Sequence, residues 1–392
     1  MRLIFISAMD YNAAGAAQAR QLSVIQYLAK QGFNVELFNL RARTNFRFQI
    51  NTRFFPNLAY HIPWRVSLIL FYLPMLIGLC FSGQNNKTSI FCYDRDPWIL
   101  GGAILAAKLF RYPVMHELTE FPSEVRPKGL YGITLILLFE RVFLKLITGA
   151  IVISRSLVGY VRSYSQNISI IMIPSLVDFN RFNELNRLNN SLDSSIQNTF
   201  RFVYTGSLNE QKDGVVSMIR ALALAQEIVQ SITLELYIYG SGSEHEINLL
   251  KNEIGIYHLD QQIKIKGSVP PDQIPTIMFG ADALLLCRPF SKQAKGGFPT
   301  KLAEYLASGK PVLTTITSDI ARYLKDGETA YLSPPNDTQY IAKKMVEIVC
   351  NLERSDLIGR NGREVAKKHF DAELNTSKIG GWIKSLHSVE RK

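Results

Sequence analysis

The sequence predicts an α/β protein of two successive domains, each built on a parallel sheet. Three observations carry this. Short apolar runs alternate with helical patterns along the whole chain. The alternation stops at a polar stretch rich in Asn and Ser and then starts again. The length of 392 residues suits two such domains better than one.

In the first half, 2–8 reads as a strand and 16–31 as a helix closed by Gly32. Strands follow at 34–40, 89–93, 113–118, 150–155 and 168–174, with helical patterns near 64–80, 98–110, 131–148 and 156–164. This order makes the sheet parallel and covers both of its faces. Residues 183–199, NELNRLNNSLDSSIQNT, read as the linker. The second half repeats the scheme, with strands at 201–205, 233–239, 262–266, 281–287, 311–315 and 329–333. Its helices fall near 214–229, 243–254, 272–279, 300–308 and 338–352. The predicted boundaries are 1–182, the linker, 200–370, and a basic helical tail at 371–392 that packs back toward the first domain.

Composition bounds the function. A hydrophobic fraction of 47% and a charged fraction of 20% are globular values. Cys80, Cys92, Cys287 and Cys350 form no CxxC pair, which argues against a zinc site or a disulfide framework and fits a reducing cytosol. The apolar stretch 3–8 is followed at once by Asp10 and Asn12, so it reads as a strand rather than a secretory leader. A net charge of +11 points to anionic partners. Zinc-finger spacing, RNP aromatics and a basic zipper are all absent, which sets nucleic acid aside. Membrane surfaces and phosphorylated small molecules remain.

Two apolar runs bear on the membrane. Residues 66–83 are slightly short of the roughly 20 needed to span and carry Pro74 and Gly78, so a buried or surface-lying helix is expected. Residues 130–153 are broken by Glu140, Arg141 and Lys145, which predicts an amphipathic helix followed by a strand. Residues 41–65 interleave Arg41, Arg43, Arg47, Arg53 and Arg65 with Phe46, Phe48, Phe54, Phe55, Tyr60 and Trp64. That pattern suits docking on an anionic membrane and also single-stranded nucleic acid; the membrane is preferred, evenly balanced against a long half-buried loop.

Ligands of parallel sheets sit at the carboxyl ends of the strands, so the loops after strands are the informative ones. The strongest is KGGFPTKLAEYLASGKPV at 295–312, a glycine-rich loop, a short helix and a strand. Pro299 suits the first helical turn and Gly309 the position after the last. The helix start near Thr300 and Lys301 offers backbone N–H groups and positive dipole charge to a phosphate. Glu304, one turn in, is placed to accept two hydrogen bonds from a diol such as ribose. A second loop, GSLNEQKDG at 206–214, follows RFVYT and brings Lys212 after a glycine turn, a phosphate-binding arrangement. Further loops open at Gly240, in YGSG, and at Gly267, in KGSV. In the first half, NAAGAA at 12–17 opens the first helix around Gly15. His116 closes the run PVMH, and Glu117 and Glu120 beside it are acid/base candidates. Asp94-Arg95-Asp96 is a DxD at a strand end; cleft or acceptor contacts for Arg95 and Asp96 are preferred over a metal site.

These motifs together resemble the donor site of retaining glycosyltransferases of the GT-B fold, family four, and the wording GFPTKLAEYLASGKPV resembles the bacterial envelope-polysaccharide members. The resemblance implies two Rossmann-like domains facing across a cleft. It implies that Glu304 holds the nucleotide ribose, and that Gly297, Phe298, Pro299, Thr300 and Lys301 meet the donor sugar and distal phosphate. Gly206 and Lys212 match its diphosphate loop, and Ser207 stands where the family has Arg, a charge Lys301 is expected to supply. Gly240 matches a further loop, while Gly267 and Val269 match the segment that holds the base through backbone atoms. Gly15 matches the phosphate-facing loop of the first domain, and His116 a residue near the donor sugar. Gly296 replaces the family's first Glu; Arg288 or Gln293 is the expected substitute.

The implied activity is metal-independent transfer of a sugar, with retention, from a UDP- or GDP-sugar to a glycan or lipid-linked glycan of envelope polysaccharide such as lipopolysaccharide or capsule. No other cofactor is implied, and the implied place is the cytoplasm, on the cytoplasmic face of the inner membrane. The substitutions at Ser207 and Gly296 motivate a rival reading as a catalytically silent partner subunit. A sugar-nucleotide epimerase of the same architecture is a third.

Overall fold

A computed structural model describes residues 1–11, 15–40, 51–54, 70, 72–82, 87–94, 96–125, 129–182 and 198–389. The chain divides into two compact units, 1–174 with 372–392, and 175–371. Most of the predicted linker, 183–197, lies outside the described residues, and the change of unit comes earlier, after Pro174.

The first unit holds a seven-stranded parallel sheet in the order β3-β2-β1-β4-β5-β6-β7. In chain order its elements begin with β1 (Arg2–Ser7), α1 (Ala16–Lys30), β2 (Asn34–Asn39), β3 (Asn51–Phe54), α2 (Leu73–Phe81) and β4 (Thr88–Cys92). Then come α3 (Pro97–Phe110), β5 (Val114–Leu118), α4 (Pro122–Val125) and α5 (Leu130–Leu138). The last runs on through a π-turn segment, Phe139–Phe143, to Leu144–Leu146, and is followed by β6 (Gly149–Val152), α6 (Arg155–Tyr164) and β7 (Ser169–Met172). Strands β1, β4, β5 and β6 are buried throughout, as a sheet covered on both faces requires.

The second unit holds a six-stranded parallel sheet, β10-β9-β8-β11-β12-β13. It comprises β8 (Thr199–Thr205), α7 (Glu210–Asp213), α8 (Val215–Ile228), β9 (Thr233–Tyr239), α9 (Glu244–Ile256), β10 (Ile263–Gly267) and α10 (Ile274–Phe279). It continues with β11 (Ala283–Leu286), α11 (Lys292–Gly296), α12 (Thr300–Ser308), β12 (Val312–Thr315), α13 (Ile320–Tyr323) and β13 (Tyr331–Ser333). Helices α14 (Thr338–Cys350) and α15 (Leu352–His369) close it. The final helix, α16 (Ala372–Val389), belongs to the first unit. It packs along α1, and Trp382 Nε1 donates to Ser169 Oγ of β7 at 2.8 Å.

Some expectations change. Strand β3 falls in the stretch read as a loop, because NTRF carries no apolar run or alternation to mark it. The rest of 41–69 lies outside the described residues, apart from β3, as does the start of the helix expected at 64–80; α2 covers its later part. Strand β5 reaches Leu118 as expected at 113–118, so His116 lies inside it and does not close it at the end of PVMH. The helix after Gly129 buries an apolar face of Leu135, Phe139, Phe143 and Leu144, as an amphipathic helix does, but departs from the expectation in its acid and on its outer side. Its one acid, Glu140, turns inward and accepts from Tyr160 Oη at 2.6 Å, while Leu130, Leu137, Leu138 and Leu146 face outward.

Candidate functional site

The candidate donor site is built where β10, β9 and β8 end side by side in the second unit. Each strand closes on a glycine in the positive-φ region: Gly267 at 74°, Gly240 at 150° and Gly206 at 149°. The three are linked in a row. Gly240 N–H donates to Gly267 O at 2.8 Å, and Gly206 N–H to Tyr239 O at 2.7 Å. The chain packs so closely that a Cβ on Gly240 would lie 1.6 Å from Gly206 O. A β-carbon is excluded there both by conformation and by space. The result is a bare backbone shelf at the carboxyl edge of the sheet, the edge at which parallel sheets bind ligands.

Cations surround the Gly206 end of the shelf. Lys301, on the first turn of α12, places its ammonium so near the turn that a Cβ on Gly206 would stand 1.9 Å from Nζ. Lys301 Nζ donates to Asp213 Oδ2 at 2.6 Å and to Tyr204 Oη at 2.9 Å. Asp213 is buried, and Arg288 Nε lies 4.0 Å from its other oxygen while donating to Lys212 O at 3.1 Å. Burial pulls the Lys301 ammonium below its ordinary pKa; Asp213 opposes this, and the neighbouring charges of Lys212 and Arg288 add to the lowering. Two cations, Lys301 and Arg288, therefore face one carboxylate, and the Lys212 charge acts on Lys301 besides, which leaves an excess of positive charge for an incoming diphosphate.

Helix α12 supplies the rest. No side chain caps its N-terminus and no acidic residue lies in its first turn, which leaves the positive end of the helix to a ligand. Pro299 takes the cap position rather than the first turn, and Gly309 ends the helix in the left-handed conformation at φ 78°. Tyr305 fixes the helix to the shelf: its buried hydroxyl accepts from Thr205 N–H at 2.7 Å, one residue before Gly206. Glu304 pairs with Arg181, Nη1 to Oε1 at 3.1 Å, while Arg181 Nη2 donates to Pro271 O at 2.6 Å in the loop after β10. Burial pushes the Glu304 carboxyl above the usual carboxylate range, and Arg181 opposes that.

The fold thus brings together Gly206, Ser207, Lys212, Gly240, Gly267, Arg288, Lys301 and Glu304. Ser207 contributes its carbonyl, which accepts from Tyr204 Oη at 2.5 Å. Val269 is partly exposed in the loop after Gly267. Phe298 is buried against Tyr323 and Phe370, so its side chain is core and only its backbone faces the loop. Thr300 O accepts from Ser175 Oγ at 3.1 Å. Gln293 O accepts from Gly297 N–H within the α11 turn.

In the first unit, His116 and Glu117 are both buried. His116 Nδ1 lies 2.8 Å from Cys92 O and therefore carries the proton, and the ring packs edge-on to Phe139. Glu117 is paired with Arg20 at 2.7 Å, which also donates to the carbonyls of Ile173 and Pro174. Gly15 is the N-cap of α1, with extended φ of −146°. Asp96 caps α3 by accepting from Trp98 N–H, and Asp94 accepts from Asp96 N–H. The DxD thus has a local structural use, and Arg95 lies outside the described residues. Sequence reading missed Tyr204, Asp213, Tyr305 and Arg181. Only Asp213 carried a local signal, adjoining Lys212; Arg181 is 123 residues from Glu304 in the chain.

Two doubly wound parallel units, one with a glycine shelf ringed by cations at its strand ends, define the GT-B class of fold. Comparison with known proteins narrows the class. Residues 199–351 match the family model described as "Glycosyl transferases group 1". A putative colanic acid biosynthesis glycosyltransferase of Salmonella typhimurium is 32% identical over 101 residues, 25% of this chain and 24% of the relative. The Escherichia coli protein of the same description is 24% identical over 181 residues, 45% of this chain and 43% of the relative. The chain therefore covers less than half the length of these curated relatives. Among solved structures, Anabaena HepE in complex with UDP superposes with a TM-score of 0.73 at 18% identity, covering 98% of this chain and 100% of that one. WaaG, a glycosyltransferase involved in lipopolysaccharide biosynthesis, superposes at 0.67 with 13% identity, covering 97% and 99%. These findings bear out the resemblance to family-four glycosyltransferases of the GT-B fold.

Proposed function

We propose that this protein transfers a sugar from a UDP- or GDP-type nucleotide sugar to a glycan or lipid-linked glycan during envelope-polysaccharide synthesis. The observation that carries the reading is the shelf of Gly267, Gly240 and Gly206, with Lys301, Lys212 and Arg288 at one end and Glu304 near it. In this reading the shelf admits the diphosphate against bare backbone. Lys301 stands in for the charge missing at Ser207, and Lys212 and the start of α12 add to it. Together they stabilise the departing nucleoside diphosphate, the group that gains charge as the glycosidic bond breaks. The second oxygen of Glu304 accepts from the ribose while Arg181 holds the first. Val269 and the backbone around it receive the base. Retention at the anomeric carbon and independence of metal follow from the family resemblance. A role for the buried His116 and Glu117 near the sugar belongs to the same proposal.

The acceptor chemistry is supported by the relatives' descriptions, which name colanic acid and lipopolysaccharide. The expected place is the cytoplasmic face of the inner membrane, where such acceptors are built. The test is turnover with a panel of UDP-, GDP- and ADP-sugars on membrane extract. Transfer that is lost in Glu304→Ala and Lys301→Ala supports the reading. Tight donor binding with no turnover on any acceptor favours the silent partner subunit that Ser207 and Gly296 suggest. Conversion of the donor to its epimer without acceptor selects the isomerase.

A further inference from the structure

Twelve of the twenty exposed large hydrophobic side chains among the described residues fall between Leu70 and Leu146. They are concentrated on the helical layer formed by α2, α3 and α5. The layer is continuous: Tyr72 donates to Ile99 O at 2.7 Å, joining α2 to α3, and Phe143 of the π-turn segment packs at Gly101 of α3. On α5 and its continuation, Leu130, Ile133, Leu137, Leu138, Val142 and Leu146 follow one another turn by turn along the outer side, Leu130 at 85% exposure and Ile133 at 54%. Leu105 and Leu109 of α3 are exposed at 55% and 63%.

This is not how a helix bordering water is built. Such a helix confines its apolar residues to the core stripe, whereas here Leu135, Phe139, Phe143 and Leu144 fill the core side and the outer side is apolar as well. Here Glu140 is the single acid on α2, α3 and α5, and it is the residue turned inward, bonded to Tyr160. The charges left outside are all basic: Arg141 and Lys145 at the end of α5, and Lys108 and Arg111 at the end of α3. Tyr131 and Trp98, each about half exposed, add the amphipathic rings that favour a lipid–water boundary. A contiguous apolar face of this kind marks an interaction site. Its rim of like charge selects an anionic occupant. Among the described residues no helix is long and apolar enough to cross a membrane.

We infer that the α3–α5 face lies on an anionic lipid bilayer, with Leu130, Ile133, Leu137 and Leu138 of α5 in the acyl boundary and Arg141, Lys145, Lys108 and Arg111 among the headgroups. The inference does not depend on the transferase reading. It moves the docking surface expected at residues 41–65 to a helical layer further along the first unit.

The test is flotation of the full chain with vesicles of phosphatidylcholine alone and of phosphatidylcholine mixed with phosphatidylglycerol. Ile133→Asn with Leu137→Asn removes the apolar stripe. Arg141→Gln with Lys145→Gln removes half of the rim. Leu352→Asn with Leu357→Asn, exposed apolar sites on the second unit, is the control. Thermal unfolding and nucleotide binding on each variant show that the fold and the donor site are intact, so that loss of docking is read apart from loss of donor binding. The expected result is co-flotation with the anionic vesicles, reduced at least tenfold by the stripe variant, reduced on anionic vesicles alone by the rim variant, and unchanged in the control. Absence of co-flotation by the wild type, or co-flotation that survives the stripe variant, overturns the inference. So does a concentration-dependent dimer that the stripe variant abolishes without any change in flotation, because the face then belongs to a second copy.

Discussion

Replacing Arg181 with alanine removes the guanidinium that lies 3.1 Å from Glu304 Oε1 and donates to Pro271 O at 2.6 Å. The two side chains of the ion pair are 34% and 27% exposed, so the pair is neither a surface pair nor a buried one. Exposed pairs contribute about 0.2–1 kcal/mol, and breaking a buried pair costs about 3–5 kcal/mol. The expected loss of chain stability is intermediate, about 1–2 kcal/mol, and donor affinity falls because Glu304 loses the group that holds it. The pH dependence carries a sharper signature. Burial raises the Glu304 carboxyl above its usual range, and Arg181 restrains it; Lys301 acts in the same direction as Arg181. Only the carboxylate accepts two hydrogen bonds, so donor binding falls as pH drops through the raised value. Without Arg181 that acid limb moves to higher pH. Isothermal titration of the nucleoside diphosphate, repeated from about pH 5 to about pH 8, reads both effects. Glu304→Gln abolishes the limb. An Arg181→Ala protein with wild-type affinity and an unmoved acid limb refutes the reasoning.

Three further outcomes follow from the same geometry. Gly240→Ala forces a Cβ to within 1.6 Å of a backbone carbonyl at φ 150° and destabilises the second unit by about 3 kcal/mol or more. Gly267→Ala meets open space at φ 74° and loses only about 1–2 kcal/mol of conformational preference, so thermal unfolding separates the two. Lys301→Ala weakens donor binding more than Lys212→Ala, since Lys301 stands at the Gly206 turn; wild-type binding also falls at alkaline pH, below the titration of a free lysine, and Lys301→Arg lifts that limb. Tyr305→Phe leaves the Thr205 N–H without its buried acceptor and lowers stability by about 1–3 kcal/mol, read by denaturant unfolding.

The alternation of apolar runs and helical patterns was enough to read the order of the strands, because parallel strands buried on both faces are continuous apolar runs. Strand β3 escaped because NTRF has neither that run nor an alternation. The glycines of the shelf were visible singly, each after its strand. Their joining into a row depends on hydrogen bonds between neighbouring strands, such as Gly240 N–H to Gly267 O, which no local pattern encodes. Glu304 was legible from its place one turn inside a helix, whereas its partner Arg181 comes from a distant turn. Lys301 was read as a cation for the phosphate, but its tie to Asp213 was not. The inward turn of Glu140 was illegible for a different reason. A charge in a leucine-rich helix reads as the solvent side, and only the bond to Tyr160, with the π-turn segment that carries it, reverses that sense.

The central claim is that the strand ends of the second unit hold a nucleoside diphosphate. Isothermal titration of the full chain with UDP, GDP and ADP, alongside Glu304→Ala and Lys301→Ala, tests it most directly. The account predicts one site per chain for one of these nucleotides, weakened at least tenfold by either substitution in protein that still shows a cooperative thermal unfolding transition. Binding of none of the three to the wild-type chain, or binding that both variants retain in full, would contradict it.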